Sequence, residues 1–383
     1  MDTLPTGPKW QSTTLEVEGY KTTDPIQLIW HNVEEVVRSL FRDPTFGAKM
    51  MFNPILIKNS LGQEYSEWFS AHEAHHIQDS LLKGATIVPI LAASGKTPVT
   101  WMTGGPEMYP LFISIGNIPG NICMAATSYA WQCVAFVPIP KFDIPQANQT
   151  ILQMCVWHKC VNMVTTGLKH VAETWLLMPD PHGYVRYCFT PLVVWTADLV
   201  EQLMITCVSK SASPVMEATH EQFSDAHHHF PHTGRLMLEC INKISQEVHP
   251  WDLSHFQKHS EAIHLSGVIY PFLEDWQFVN PSIFLLPEIF HACYKFFFDH
   301  VLPWCKELLG TELNMWFKCL HKCARVRHFV GGVSHIKQMS GREHRDIQCM
   351  IVAVIAGHVP PQFLRTICAL LAPVPVGLLQ YIW

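Results

Sequence analysis

The chain has 383 residues, 48% of them apolar and only 15% charged, with a formal net charge of −6. This length allows two or three folded units, or one with large insertions. The low, acidic charge excludes a chain that is basic throughout, so any nucleic-acid surface has to be a local patch.

No basic start followed by an apolar run opens the sequence, and Pro360, Pro361 and Arg365 interrupt its most apolar stretch. The expectation is a nuclear or cytoplasmic protein with no signal peptide and no membrane span. The 13 cysteines include no Cys-x-x-Cys pair, and their odd number speaks against a disulfide framework. Reduced core thiols are expected.

In chain order, residues 1–83 read as a mainly helical extension. DPIQLIWHNVEEVVRSLFRDP spaces Leu28, Ile29, Val33, Val36, Val37, Leu40 and Phe41 as one helix face. SEWFSAHEAHHIQDSLLKG predicts a second helix, capped by Ser66 and ending near Gly84. It carries His72, His75 and His76, either a polar face or a metal site.

Residues 84–210 change pattern. GATIVPILAAS, PLFISIGNI and WQCVAFVPIP are rich in Val, Ile and Phe and bounded by turn residues, so they read as strands. A long helix follows from near Gln149, and then a fourth apolar run, YVRYCFTPLVVWTAD, ends on Asp198. Strands joined by short turns predict an antiparallel meander, and the helix crosses over to a parallel neighbour. The order is that of an α/β domain opening like an RNase H-like fold, with flanking helices.

Residues 211–284 read as a polar insertion. Its His227-His228-His229 run is either a solvated loop or a metal site. Residues 285–383 return to helix, closing the core and continuing into a helical C-terminal region. Pro287 suits a first helical position and Glu288 a first turn. Glu288, His291, Lys295 and Asp299 fall on one polar face, which needs no chemistry to explain it. CLHKC (Cys319, His321, Cys323) approaches a zinc motif but lacks a second ligand pair. The following segment gathers Lys318, Lys322, Arg325, Arg327, Lys337, Arg342 and Arg345, a local basic patch able to neutralise phosphates.

Taken in order, GPKWQSTTLEVEGY, GATIVPILAASGKTPVT, EMYPLFISIGNIPG, WQCVAFVPIPKFD, YCFTPLVVWTADLVEQ, QEVHPWDL, PEIFHACYKFFFDHVLPWCKELLG and RHFVGGVSHIKQMSGREHRDIQ resemble the Plavaka-type transposases of fungi, relatives of the KDZ and CACTA groups. The similar stretches span Gly7 to about Leu370. The resemblance implies an RNase H-like core with an acidic triad of the DDE kind, binding two Mg2+ (or Mn2+) ions that activate a hydroxyl and stabilise a leaving oxygen. The partners it implies are DNA at transposon ends and, in a homo-oligomer, further copies of the chain.

Carried over by position, the second acid and metal ligand is Asp198 and the third is Glu288, with Asp299 the weaker alternative. The first acid belongs to a Ser-Asp-Lys-Thr motif that is written here Ser94-Gly95-Lys96-Thr97, so Gly95 stands where a metal ligand is expected. Glu107, across the hairpin, is a possible substitute. Lys96, Arg325, Arg327, Lys337, Arg342 and Arg345 are the expected DNA contacts. Other departures are a lost Cys-x-x-Cys, of which Cys207 remains, His232 in FPHTGR where Arg is common, and a closing APVPVGLLQYIW unlike the family's continuation. The expectation is a truncated, degenerate transposase-derived protein without nuclease activity. The alternative is a DNA- or partner-binding module that retains the fold.

Overall fold

The computed structural model describes residues 7–60, 62–98, 107–288, 290–323, 326–336 and 339–371. Two compact units divide between Leu286 and Pro287.

The first unit is built on a mixed sheet. Six of its strands are β1 (Trp10–Leu15), β2 (Ile26–His31), β3 (Ile90–Ser94), β4 (Pro110–Ile115), β5 (Gln132–Phe136) and β6 (Leu192–Ala197), in the order β1-β2-β5-β4-β3-β6. The short strand Leu285–Pro287 follows β6. β3, β4 and β5 form the antiparallel meander expected from their turns, and β6 lies parallel to β3.

The N-terminal segment departs from expectation. Residues 10–31 are not helical: β1 and β2 form an antiparallel hairpin, and β2 adds it to the sheet beside β5. Leu28 and Ile29 therefore belong to a strand, with Leu28 fully buried and Ile29 exposed, the period of two rather than 3.6. Helix α1 (Val33–Arg42) begins only after Asn32, whose side chain accepts from the amides of Glu34 and Glu35. The strand's Leu28-Ile29 pair happens to continue the helix spacing of Val33, Val36 and Val37, so periodicity alone ran the two together.

Two expected strands are each broken by a proline. GATIVPILAAS divides at Pro89 into Thr86–Ile87 and β3, and the fourth run divides at Pro191 into Val185–Phe189 and β6. The upper halves pair in a separate three-stranded sheet with Leu176–Pro179. A proline carries no N–H for the ladder. Backbone bonds nonetheless run across the break, Val88 N–H to Phe189 O at 2.7 Å and Ile90 N–H to Pro191 O at 2.8 Å.

Helix α2 (Gln146–Thr174) buries Leu152, Val156, Cys160, Val161, Val164, Leu168 and Val171 in the core at three- and four-residue spacing. On the same helix His158 is fully buried and holds three elements together. Its Nε2–H donates to Met204 O at 3.0 Å, and its Nδ1 accepts from the Phe272 amide at 3.2 Å. That pairing fixes the neutral ring with the proton on Nε2, and burial pushes its pKa down to about 4. His158→Ala would leave the buried Phe272 amide unpaired and a void beside Trp157 and Phe272. The expected loss is about 2–4 kcal/mol, read as a lower urea midpoint with unchanged slope.

The polar insertion contributes two capped helices. Thr233 caps Gly234–Glu247 and Asp252 caps Leu253–Ala262. The second unit is helical around a core that includes Phe297, Leu302, Leu313, Phe317, Ile347 and Ile351. Here too the start differs from expectation. Pro287 closes a strand rather than opening a helix, and Phe290–Lys295 and Phe297–Val301 wind as π-helix before Leu302–Leu309. Among the described residues no helix is long and apolar enough to cross a membrane.

Candidate functional site

The site of interest lies where the parallel strands β3 and β6 end together. Ala93 pairs with Thr196, so Gly95 and Asp198 leave the sheet at the same level. Asp198 is the N-cap of the short helix α3 (Leu199–Ile205), and its Oδ1 accepts from the Glu201 amide at 2.8 Å. Gln202 ties the same corner down, its side chain donating to Ala197 O at 2.9 Å.

Glu201 turns back under the sheet and is 6% exposed. The Ser94 hydroxyl donates to its Oε1, and Trp195 Nε1–H donates to Ser94 Oγ at 2.9 Å. Tyr109, buried on the neighbouring chain segment, also hydrogen-bonds the carboxyl. Burial pushes the Glu201 pKa up to about 7; the hydrogen bonds from Ser94 and Tyr109 oppose that rise, nearby Asp198 adds to it, and Lys96 opposes it. Tyr109 is raised in turn, by burial and then by Glu201. Beneath them Trp157, Trp195 and Phe272 pack ring on ring, with centroids 5.1–5.8 Å apart, and exclude water from this side.

Gly95 is not required by the backbone, since its φ lies outside the left-handed region. A Cβ built there meets only Glu201 Oε2, at 3.6 Å, an ordinary contact. A side chain at position 95 would therefore point at the Asp198–Glu201 corner. Lys96 is exposed, its Nζ 5.9 Å from the Tyr109 ring centre. Glu107 pairs across from Pro98 and is exposed.

The structure thus brings Gly95, Lys96 and Asp198 together and adds Glu201, which motif reading passed over. The signal was available: Asp198 and Glu201 stand in the Asp-x-x-Glu spacing of a helix start. Glu288 and Asp299 belong to the second unit. Glu288 is half-buried there, and Asp299 is bound to Lys295 at 2.7 Å on an exposed helix turn.

The basic segment is less free than its sequence suggests. Arg327 pairs with Glu343 and donates its amide to Asp346 at 3.1 Å, and Arg345 reaches Asp346 at 3.3 Å. Arg325 and Lys337 lie outside the described residues. Lys318 and Lys322 are exposed.

Of the histidine and cysteine motifs, His72 meets Tyr65 at 2.6 Å, His75 meets Ile55 O at 3.2 Å and His76 meets Glu73 at 3.6 Å. They converge on no common point. Cys207 is buried, its Sγ 3.4 Å from His158 Nε2, and His232 is buried with its pKa lowered by burial. Cys319, His321 and Cys323 are exposed and are not part of any three-ligand cluster among the described residues.

The family described as Plavaka transposase matches residues 1–305. The chain belongs to the Plavaka transposase family. No curated protein matches it.

Proposed function

We propose that this chain is a transposase-derived protein that keeps an RNase H-like scaffold for DNA and has lost its nuclease chemistry at Gly95. The observation that carries this reading is the corner formed by Gly95, Asp198 and Glu201. Strand order, the parallel β3–β6 pair and the placement of position 95 beside Asp198 support the family's acidic site at this place.

The residues present do not fit a pair of Mg2+ ions. Two hard cations need several converging anionic oxygens. This corner offers two carboxyl groups. One Asp198 oxygen already caps a helix, and Glu201 is buried, hydrogen-bonded and inclined to hold a proton. Asp198 and, by its position in the family motif alone, Glu288 remain the proposed acids of the triad. Incubating the purified chain with Mg2+ or Mn2+ and DNA carrying matching transposon ends is expected to give no strand cleavage. Reproducible cleavage lost in Asp198→Ala would overturn the reading.

Exposed Lys318 and Lys322, with Lys96 in the first unit, favour a retained role in holding DNA. DNA binding is expected to weaken steeply with salt, and Lys318→Ala with Lys322→Ala is expected to lower the log–log salt slope by about 1 per lost phosphate contact. Binding indifferent to salt and to both substitutions would count against it.

A further inference from the structure

We propose that Asp225, His227 and His229 bind a zinc ion. Their ligand atoms all lie within 4.8 Å of one another, a cluster of three drawn from a single loop. His229 Nε2 is 3.0 Å from Asp225 Oδ2, and His227 Nε2 is 3.9 Å from the same oxygen. The two imidazole rings stand 4.7 Å apart at an angle of 44°. Ligands at 2.0–2.2 Å from one zinc ion lie about 3–3.5 Å from each other, so small side-chain adjustments close the set.

The chain bends at Ala226 and His227, which brings Asp225, His227 and His229 to face one another while His228 stays outside the cluster. An ordinary hydrogen bond accounts for the Asp225–His229 contact. It does not account for a second imidazole brought to the same oxygen, with both nitrogens facing it.

The loop is also held in place before any ion arrives. Gln222 accepts from the Thr219 amide and hydroxyl, and the Asp225 amide donates to Gln222 O at 3.1 Å. At the neck, Glu217 N–H donates to Phe230 O at 2.8 Å and His232 N–H to Val215 O at 2.9 Å. His229 is 14% exposed at the side chain and His227 71%, so the cluster is open to solvent on one side, where water completes the coordination. Two imidazoles and one carboxylate suit zinc, a borderline ion, whereas Mg2+ prefers oxygen alone. The site is separate from the Gly95 corner and does not depend on the reading of that corner.

The test uses the full chain without a histidine tag. After incubation with Zn2+ and gel filtration, one equivalent of zinc per chain is expected by elemental analysis, and Co2+ in its place is expected to give visible d–d absorption. His227→Ala and His229→Ala are each expected to weaken binding about a hundredfold or more, with unchanged far-UV circular dichroism, while His228→Ala binds like the unaltered chain. Zinc should also slow chymotrypsin cleavage at exposed Phe223 in the unaltered chain and in neither of the two weakened variants. No retained zinc, equal binding by all variants, or an equal loss in His228→Ala overturns the proposal.

Discussion

Gly95→Asp is expected to give the protein a dependence on Mg2+ or Mn2+. The new carboxylate enters without backbone strain, because the Cβ position is open and the φ is ordinary. It arrives beside Glu201 Oε2 and across from Asp198, so three acids then share one partly dry corner. In the absence of metal they repel one another, and stability should fall by about 1–2 kcal/mol. Mg2+ or Mn2+ at a hundred times its dissociation constant returns about 2.7 kcal/mol. The thermal midpoint should therefore drop without metal and recover with it, while the unaltered chain shows neither change. If the remaining acid is supplied as the family resemblance implies, strand cleavage should rise by about 10²–10⁴-fold. Adding Asp198→Ala to Gly95→Asp should abolish both effects. A Gly95→Asp protein that folds, ignores metal and cuts nothing would show that position 95 is not a ligand position in this chain.

The second large effect belongs to Glu201. Its folded pKa stands near 7 against 4.5 for a free carboxyl, chiefly because it is buried. In the unfolded chain the group has lost its proton above about pH 4.5, while the folded chain keeps it until about pH 7. The unfolded state thus binds fewer protons in this window, and stability falls as pH rises through it. The fall amounts to about 3 kcal/mol and levels off above pH 7. His158 acts in the opposite sense in part of the same window. Its pKa is depressed to about 4 from 6.5, so its contribution is present above pH 6.5 and lost as pH falls through 4. The total pH profile mixes the two, and the comparison with Glu201→Gln separates them. The amide keeps the shape and the acceptor oxygen for Ser94, so the variant should match the unaltered chain near pH 4.5 and exceed it by up to about 3 kcal/mol at pH 8. Urea unfolding at both pH values measures this, and parallel profiles for the two proteins would refute it. Glu201→Ala, which leaves Ser94 and Tyr109 without their acceptor, should instead be destabilised by about 1–3 kcal/mol at pH 5.

The sequence carried much of this architecture, and the places where it misled have physical causes. The meander, the parallel neighbour and the end of β6 at Asp198 were all readable, because Val- and Ile-rich runs between turn residues leave little choice. The hairpin of residues 10–31 was not. β1 is a mostly exposed strand of polar residues, WQSTTL, with no apolar alternation to mark it. β2 was concealed because its apolar pair falls in phase with the helix that follows. At the site, Gly95 and Asp198 were found through a motif. Glu201 was missed because its role depends on burial against Ser94 and Tyr109, which only the folded chain creates. The pairing within the basic segment was hidden for a related reason. Charges counted along the chain do not reveal that Glu343 and Asp346 fold back onto Arg327 and Arg345.

The two prolines that interrupt the parallel ribbon also determine which residues can meet at its end. A strand that slips by one position turns its whole buried set outward, and here slippage meets a second obstacle. Pro89 and Pro191 each offer a carbonyl but no donor, and the observed alignment is one in which Val88 and Ile90 supply the donors that bridge the break. Sliding either strand would bring a proline to a place where the partner's carbonyl needs an N–H. The two prolines therefore act as alignment marks, well upstream of the corner that they set. Whatever side chain stands at position 95, the register brings it opposite Asp198.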